Sequence, residues 1–321
     1  MNDIRDIDRR LKIKVIGVGG AGNNAVARMI EDEVQYVSFY MINTETATLK
    51  RAKTNNVLQI GVQTTRGLGA GANEKVGESA AIENKEDIKQ LLAGADLVFI
   101  TAGMGGGTGT GAAPVVAEIA KEMGILTIGM VTKPFMFEGK TRGLRAERGT
   151  EKLINNVDNL IVVLNDNLLK ITDEKVTLNN AFSLADNILE QGITSITDLL
   201  NSIGEVNIDF ADIKTTMSYK GKAYMGIGRA RGYKKIEEAV KRAIESPLTE
   251  SKIDGAKGVI FNVKGNEELS LMEINSAVSI INERVNEDAN IIFGTVIDKN
   301  MGDDVQVTVI ATGVNEIEVN N

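Results

Sequence analysis

The chain has 321 residues, of which 43% are hydrophobic and 25% are charged, so it is long enough for two ordinary globular domains. Its formal net charge of −8 and its lack of a basic block exclude a typical nucleic-acid-binding protein, because phosphate contacts need clustered cations. The absence of cysteine and histidine excludes disulfides, thiolate nucleophiles, Ser-His-Asp triads and zinc sites built on these residues. The charged start "MNDIRDIDRRLK" and the lack of a long apolar run predict a cytoplasmic protein without direct membrane insertion.

Apolar runs and helical patterns alternate along the first half of the chain. The runs predict strands at 11–18, 37–43, 96–103, 125–132 and 159–165, and helices are predicted at 23–31 and 112–124. Strands that alternate with helices indicate βαβ units, so we predict an α/β fold that begins with a Rossmann-like parallel sheet. The ligands of such sheets lie at the carboxyl ends of the strands, where the glycine-rich segments of this chain fall.

A long helical pattern covers residues 178–203. Its apolar residues recur at steps of three and four, and a helix of about 25 residues spans roughly 37 Å. We interpret it as a long central helix that connects two domains. A long core helix inside a single domain is the alternative.

The second half of the chain predicts a smaller α/β unit with strands at 221–230, 258–263, 290–297 and 304–312 and helices at 235–246 and 271–285. Only a short polar turn separates the last two strands, which predicts that they form an antiparallel pair in a mixed sheet. The predicted division is a first domain at 1–176, the connecting helix at 177–203, a second domain at 204–315 and a short tail at 316–321.

Three glycine-rich segments lie in the first half of the chain, two of them directly after predicted strands. The first, "IGVGGAGNN", contains GxGxxG, which alone fits a turn, a phosphate loop or the dinucleotide fingerprint of an oxidoreductase. That fingerprint also needs an acid about twenty residues further on, and Glu45 lies past the end of the second strand. The second, "AGMGGGTGTGAAP", has six glycines from Gly103 to Gly111, for which a hinge is the alternative, and the third is "GLGAGAN". Backbone N–H groups at helix starts bind anions, so the three segments together predict a polyphosphate ligand.

Several of these motifs occur together in one protein family. "TAGMGGGTGTG" resembles the glycine signature of the tubulin-like GTPases, and "GVGGAGNN" and the ending "VTVIATG" are similar to the FtsZ family within them, over residues 12–313. The resemblance implies binding of GTP and GDP, hydrolysis of GTP, and Mg²⁺ held mainly by phosphates and water, with no metal site of the protein's own. It also implies a cytoskeletal protein of bacterial cell division that forms a head-to-tail homopolymer at the midcell ring and meets division-ring regulators there.

The resemblance assigns a set of residues to the nucleotide. Thr108 is the favoured hydroxyl ligand of a phosphate. Glu138 and Arg142 match ribose and phosphate contacts, with a solvated ion pair as the alternative. The full set is Gly19, Gly20, Ala21, Gly22, Asn23, Asn24, Asn43, Thr44, Gly69, Ala70, Gly71, Ala72, Asn73, Gly103, Met104, Gly105, Gly106, Gly107, Thr108, Gly109, Thr110, Gly111, Pro134, Glu138, Arg142, Asn165, Phe182 and Asp186.

Three residues of this set are assigned to the base. Asn165 and Asp186 match purine-reading positions, and a carboxylate at Asp186 can accept hydrogen bonds from guanine N1–H and N2–H, a donor pair that adenine lacks. Phe182 matches the ring that stacks on the base, and it shares a helix face with Asp186 because the two are four residues apart. A core residue is the alternative for Phe182. We therefore expect selectivity for GTP over ATP.

The segment "GEVNIDFADIKTTM" at 204–217 matches the family's loop that completes the active site of a neighbouring subunit. Asn207, Asp209 and Asp212 are the predicted catalytic residues. If the long helix spans the subunit, they lie at the end opposite the glycine segments and reach only the γ-phosphate of the next subunit in a filament. A capped turn, with Asp209 at the start of the next helix, is the alternative.

The sequence departs from the family pattern at several positions. Glu45 and Ala47 replace a common Asp and Gln, and Glu74 and Lys75 stand where Pro-Glu is usual. Loss of that proline is expected to loosen the loop at 69–73, which senses the γ-phosphate. The chain ends at "NEIEVNN", short of the peptide by which the family binds membrane adaptors, so no adaptor contact is predicted. An oxidoreductase, a non-hydrolysing relative and an archaeal or plasmid-borne tubulin-like protein are the alternatives.

Overall fold

The computed structural model describes residues 11–171, 176–201 and 209–314. The strands are Ile13–Val18 (β1), Val37–Asn43 (β2), Val57–Gln59 (β3), Leu97–Gly103 (β4), Leu126–Lys133 (β5), Asn159–Leu164 (β6), Gly221–Arg231 (β7), Gly258–Gly265 (β8), Asn290–Ile297 (β9) and Asp304–Thr312 (β10). The helices are Gly19–Glu31 (α1), Thr46–Leu49 (α2), Val62–Thr65 (α3), Glu74–Glu83 (α4), Lys85–Leu92 (α5), Thr108–Glu122 (α6), Lys140–Ile154 (α7), Asn165–Ile171 (α8), Leu178–Asn201 (α9), Phe210–Thr216 (α10), Lys235–Ile244 (α11) and Leu271–Asn282 (α12), with 3-10 helices at Met136–Glu138 and Lys299–Met301.

The first half of the chain forms the parallel part of the sheet, in the order β3-β2-β1-β4-β5-β6. Its central strands are continuous apolar runs because helices cover both faces of the sheet, and β4 is buried from Leu97 to Ala102. The carboxyl ends of these strands meet at one edge, which we call the carboxyl edge. The predicted α/β class with a Rossmann-like parallel sheet is confirmed. Among the described residues, no helix is long and apolar enough to cross a membrane.

Helix α9 carries the long apolar stripe that the sequence predicts. Leu189, Ile193 and Ile196 are buried in one hydrophobic cluster with Ile161 of β6 and Ile260 of β8. At 1.5 Å per residue the helix is about 36 Å long. The same helix therefore packs against both halves of the molecule, and the residues predicted after Asn201 lie outside the described ranges.

The second half continues the sheet as β7-β10-β8-β9 and is mixed, as predicted. The predicted pairing of the last two strands is wrong: β10 lies antiparallel between β7 and β8, and β9 pairs in parallel with β8. The physical reason is burial. Strand β8 is buried over nearly its whole length and takes an internal position, whereas β9 alternates between buried and half-buried residues, has exposed ends and takes the edge. The last two strands run in opposite directions, but the chain between them passes over β8.

The two halves of the sheet join where β6 pairs in parallel with β7 over three residues, from Asn159↔Gly221 to Ile161↔Ala223. The amino ends of β6 and β7 thus lie together at the edge opposite the glycine segments, which we call the amino edge. The predicted domain boundaries remain predictions, because this sheet is continuous across them.

Helices α1 and α6 begin four residues earlier than predicted, at Gly19 and Thr108. Close packing requires glycine within the first turns of these helices, although glycine has a low intrinsic helix propensity. A Cβ on Gly22 would lie 2.3 Å from the carbonyl oxygen of Thr101 in β4, so only glycine lets α1 start against the sheet. Tertiary packing therefore overrides the local helix propensity of glycine.

Candidate functional site

The glycine-rich segments come together at the carboxyl edge. Residues 19–24 form the first turns of α1, residues 69–73 connect α3 to α4, and residues 103–111 run from the end of β4 through a tight turn into α6. A Cβ on Gly19 would lie 2.7 Å from the backbone nitrogen of Gly109, and one on Gly107 would lie 2.8 Å from Cβ of Ala70. The three segments are therefore in direct contact and form one surface at this edge.

Two helix starts face this surface. The first backbone N–H groups of α1 and of α6 lack the partners that later N–H groups of a helix have, and the helix dipoles add partial positive charge. Gly20 and Gly106 leave space in front of them, since a Cβ on either would meet no atom of the described chain within 4 Å. The surface is therefore able to receive anionic groups close to the backbone.

Hydroxyl groups brace the glycine turn. Oγ1 of Thr44, just after β2, lies 2.7 Å from Oγ1 of Thr108 at the start of α6. Oγ1 of Thr110 accepts a hydrogen bond of 2.8 Å from the backbone nitrogen of Gly105, and Met104 is buried beneath the turn. Thr108 thus lies at the junction of two strand ends, and Thr110 holds the shape of the turn.

Buried amide groups at this edge lack protein partners. Asn23, Asn43 and Asn165 are 2%, 3% and 4% exposed, yet both amide atoms of Asn23, Nδ2 of Asn43 and Oδ1 of Asn165 have no hydrogen-bond partner among the described residues. Each buried unsatisfied polar group costs about 1–3 kcal/mol, and native proteins rarely leave such groups unpaired. The predicted nucleotide, which carries both donors and acceptors, fits this set of atoms. Asn24, the neighbour of Asn23, is exposed.

Glu138 and Arg142 lie beside the glycine turn, beyond Pro134 at the end of β5. Oε1 of Glu138 accepts a hydrogen bond of 2.9 Å from the backbone nitrogen of Phe135, and Oε2 lies 3.1 Å from Nε of Arg142. The Glu138 side chain is only 9% exposed, so this is not the fully solvated ion pair that the sequence left open as an alternative. A Cβ on Gly105 would lie 2.7 Å from Cγ and from the backbone oxygen of Arg142, so this residue packs directly against the glycine turn.

Phe182 and Asp186 lie on α9 at the same edge. The Phe182 side chain is 44% exposed, and its ring meets Phe135 and Phe137 edge-on at centroid distances of 5.5 and 6.3 Å, so it is not a core residue. Burial raises the pKa of Asp186 to about 7, and the nearby positive charge of Arg28 opposes the rise. A flat, partly open ring and a half-buried carboxyl thus lie four residues apart, as the sequence predicts.

Asp209 and Asp212 lie at the amino edge, at the start of α10. Nδ2 of Asn159, the first residue of β6, donates to the backbone oxygen of Met217 just after α10. At about 3.3 Å per residue, β6 alone separates this point from the glycine turns by roughly 20 Å. Asp209 occupies the N-cap position, as in the capped-turn alternative, but its side chain makes no capping hydrogen bond, and both acids are exposed. Asn207 lies outside the described residues.

Helix α10 is fixed in place by the strands around it. Oγ1 of Thr312, the last residue of β10, donates to the backbone oxygen of Thr216 at 2.6 Å, and Nδ2 of Asn290 in β9 donates to Oγ1 of Thr216 at 3.0 Å. Ile213 is buried below the helix. The short helix that carries the two acids is therefore anchored on the sheet.

The contact between α4 and α7 was not predicted from the sequence. Arg148 of α7 binds Glu74 of α4, and Lys152 binds Glu78 one turn further along both helices. Neither helix was predicted. The sequence did offer a signal for this contact. Glu74 and Glu78 are four residues apart, as are Arg148 and Lys152, and such spacing places like charges on one face of a helix.

Comparison with known proteins agrees with the fold and the motifs. Residues 12–173 match the model of the tubulin/FtsZ family GTPase domain, and residues 221–315 match that of the FtsZ family C-terminal domain. An empty FtsZ dimer from M. jannaschii is 42% identical, with a TM-score of 0.91 over 96% of this chain and 90% of that chain.

Two further structures, both from Haloferax volcanii, share the fold. CetZ2, solved as a GTPγS-bound protofilament, is 18% identical with a TM-score of 0.82 over 96% of this chain and 95% of that chain. CetZ1, solved as a GDP-bound monomer, is 23% identical with a TM-score of 0.80 over 96% of both chains. With both halves of the sequence matched in order, the chain belongs to the FtsZ family of the tubulin-like GTPases.

Proposed function

We propose that this chain binds GTP at the carboxyl edge and hydrolyses it to GDP and phosphate only within a head-to-tail filament of its own copies. The filament is a cytoskeletal element of the division ring at midcell in the cytoplasm, where division-ring regulators are its further partners. Membership of the FtsZ family supports the activity. The protofilament of CetZ2, a protein of the same fold, supports the mode of assembly.

In this proposal the phosphates lie against the helix starts of α1 and α6. Backbone N–H groups from residues 19–22 and 103–111 donate to the phosphate oxygens, Thr108 adds its hydroxyl, and Arg142 adds a fixed positive charge. Glu138 accepts from the ribose. The loop at 69–73 contacts the γ-phosphate and therefore distinguishes GTP from GDP.

The base lies between α8 and α9. Phe182 stacks on it, while Oδ1 of Asn165 and the carboxylate of Asp186 accept hydrogen bonds from guanine. Asp186 must be ionised to accept two such bonds, so binding of guanine draws its proton off. The unpartnered amide atoms of Asn23, Asn43 and Asn165 support this assignment, because a bound nucleotide satisfies them.

The observation that carries the proposal is the separation between the glycine turns and the acids of α10. Carboxylates at the amino edge cannot reach a phosphate at the carboxyl edge of the same subunit, roughly 20 Å away along β6. They can reach the phosphate of a second subunit stacked on that edge. A contact that joins unlike surfaces repeats indefinitely and produces a filament rather than a closed dimer.

We call the contact between two stacked subunits the joint. Within it, each edge has a distinct chemical task. Asp209 and Asp212 accept hydrogen bonds from the attacking water, orient it towards the γ-phosphorus and polarise it, together with Asn207. The N–H groups of the glycine turn stabilise the charge that spreads over the γ-phosphoryl oxygens. Mg²⁺, held mainly by phosphates and water, neutralises part of that charge. After phosphate leaves, the loop at 69–73 loses its contact and the joint weakens.

The proposal is tested by measuring phosphate release per subunit as protein concentration rises. We expect a threshold concentration below which the chain binds GTP without turnover. In Asp212→Ala, turnover should fall about 100-fold or more, as for loss of a positioned acid or base, while GTP binding is retained. Lys214→Ala, in the same helix, is the matched control and should behave like the unchanged chain. Turnover per subunit that is independent of concentration would sink the shared-site mechanism.

A further inference from the structure

Helix α7 holds the start of α4 through an ion pair. Nε and Nη2 of Arg148 both donate to Oε1 of Glu74, at 3.1 and 2.6 Å, and Glu74 is the first residue of α4. The hydrogen bond from Arg148 lowers the pKa of the Glu74 carboxyl, so the pair is ionised at neutral pH. One turn further along, Nζ of Lys152 lies 2.8 Å from Oε2 of Glu78. Both pairs join α7 to α4, the first through two hydrogen bonds and the second through one, and the second lies one turn further from the loop at 69–73.

A second arginine of α7 holds the loop itself. Nη1 of Arg145 donates to the backbone oxygen of Ala72. Ala72 has a φ of 56°, in the left-handed region that alanine rarely adopts, so its backbone is strained and needs an external constraint. Arg145 and Arg148 are one turn apart on α7. Arg145 binds the strained residue Ala72, and Arg148 binds Glu74 at the start of the helix that follows.

The segment that these two arginines bind, residues 72–74, lies directly against the glycine turn at 103–111. A Cβ on Gly107 would lie 2.9 Å from the backbone nitrogen of Asn73, and one on Gly111 would lie 1.9 Å from the backbone oxygen of Glu74. A displacement of the start of α4 therefore cannot occur without disturbing the turn that faces the phosphates. The side chain of Asn73 caps α4 by accepting from the backbone nitrogen of Lys75 at 3.0 Å, which fixes the register between the loop and the helix.

We propose that Arg145 and Arg148 are positioning residues that clasp the loop at 69–73 and so set the preference of the site for GTP over GDP. The inference rests on the proposed function, because it assigns the contact with the γ-phosphate to this loop. It also reverses one expectation from the sequence: the loop that lacks a proline at residue 74 is held by the ion pair of Glu74 with Arg148 instead. A proline fixes the first helical residue through its own φ, whereas Glu74 fixes it through a partner on α7.

The test compares Arg148→Gln with Lys152→Gln, because the two basic side chains are 55% and 54% exposed and each binds one acid of α4. The affinities of GDP and of the slowly hydrolysed analogue GTPγS are measured by titration calorimetry, below the assembly concentration. In Arg148→Gln we expect the affinity for GTPγS to fall about threefold, in the range of an exposed ion pair, with the affinity for GDP unchanged. Lys152→Gln should leave both affinities unchanged. The charge-swapped double variant Glu74→Arg with Arg148→Glu should recover most of the loss.

The outcomes separate the clasp from the proposed function. Equal losses for GTPγS and GDP, or the same loss in Lys152→Gln, would mean that the pair only stabilises the fold, and thermal melting of each variant checks this directly. Unchanged GTPγS affinity in both Arg148→Gln and Arg145→Gln overturns the clasp and leaves guanine-nucleotide binding intact. If the unchanged chain binds neither nucleotide, the proposed function fails and the clasp fails with it.

Discussion

The two edges of the sheet use their polar groups differently. At the carboxyl edge, buried amide atoms of Asn23 and Asn43 have no partner in the part of the chain that the structure describes. At the amino edge, Thr312 and Asn290 donate hydrogen bonds to Thr216 and so fix a helix whose acids point to solvent. The first edge leaves a set of buried amide atoms unpaired, whereas the second uses its polar groups mainly to hold a short helix on the sheet, and Oδ1 of Asn159 is an atom there without a partner among the described residues.

In the proposed mechanism, each edge supplies what the other lacks. A phosphate cradle without a base to orient water is a binding site, and a pair of exposed acids without a phosphate is a polar surface. Stacking one edge on the other joins the two functions. The activity that we propose is therefore a property of the joint between subunits, and experiments that separate the edges are the sharpest tests of it.

The largest effect on phosphate release is expected when one edge is inactivated in one molecule and the other edge in a second molecule. Gly106→Val places a side chain in the phosphate cradle, the surface formed by residues 19–24, 69–73 and 103–111. We expect the affinity for GTP to fall about 100-fold because two charge-assisted hydrogen bonds to phosphate are lost. Asp212→Ala removes an acid and keeps the cradle. Each variant alone should release little phosphate. In an equimolar mixture, about a quarter of random joints pair an intact cradle with an intact acid, and phosphate release should recover to that extent.

The control for this mixture combines Gly106→Val with the double variant Gly106→Val, Asp212→Ala. It contains intact acids but no intact cradle and should stay inactive at every concentration. A mixture of the two single variants that is no more active than its components contradicts the shared site. So does an Asp212→Ala chain that retains full turnover.

A smaller effect is expected within the carboxyl edge, at the base. Burial raises the pKa of Asp186 to about 7, and the base site that we propose needs the ionised carboxylate to accept from guanine. Below pH 7 the free protein binds the competing proton, so the affinity for GTP should fall by up to roughly tenfold per pH unit. Above pH 8 the affinity should be constant. Titration calorimetry between pH 5.5 and pH 8.5 measures both the affinity and the proton that is released.

Asp186→Asn provides the matched control, because its amide does not titrate in this range. The variant should show only the slope that comes from the phosphates of the ligand, and its discrimination between GTP and ATP should be largely lost. Equal pH slopes in the two proteins, or unchanged discrimination, would remove Asp186 from the base site.

The smallest effect, on thermal stability, is expected for Glu190 in α9, the helix that runs between the two edges. Burial and the neighbouring carboxyl of Asp32 raise the pKa of Glu190 to about 7. Because this pKa is raised on folding, its contribution to stability is present at low pH and is lost as pH rises towards 7. Glu190→Gln mimics the protonated form, so we expect the melting temperature to rise by about 2 °C at pH 8 and to be unchanged at pH 5.

Glu118→Gln is the control for this prediction, since Glu118 is an exposed residue of α6. Its melting temperature should match that of the unchanged chain at both pH values. A stabilisation of Glu190→Gln that is equal at pH 5 and pH 8 would show that the gain comes from packing rather than from ionisation.

Much of the fold could be predicted because its signals are local. Continuous apolar runs such as β4 identify buried parallel strands, and the stripe of α9 repeats over six turns. The glycine segments could be assigned to a phosphate site because helix starts and flexible backbone bind anions in a way that depends little on the rest of the chain. Family motifs then supplied residue assignments that spacing alone leaves open.

The parts that were not predicted depend on contacts between distant residues. The short turn before β10 indicated a hairpin, but the central position in the sheet goes to the more apolar β8. The ion pair of Glu74 with Arg148 joins residues far apart in the sequence, and no local pattern shows which acid a base will meet. The start of α1 at Gly19 depends on its packing against β4 and not on propensity.

The anchoring of α10 has a consequence for the energetics of assembly. A helix of seven residues is marginal on its own, and loose acids would have to be ordered each time two subunits meet. Because Thr312 and Asn290 hold Thr216, that entropy is lost once, when the chain folds, and not at every joint. In the filament that we propose, every added subunit would therefore present the backbone of this helix in the same position, and the rate of hydrolysis is expected to be uniform along the filament.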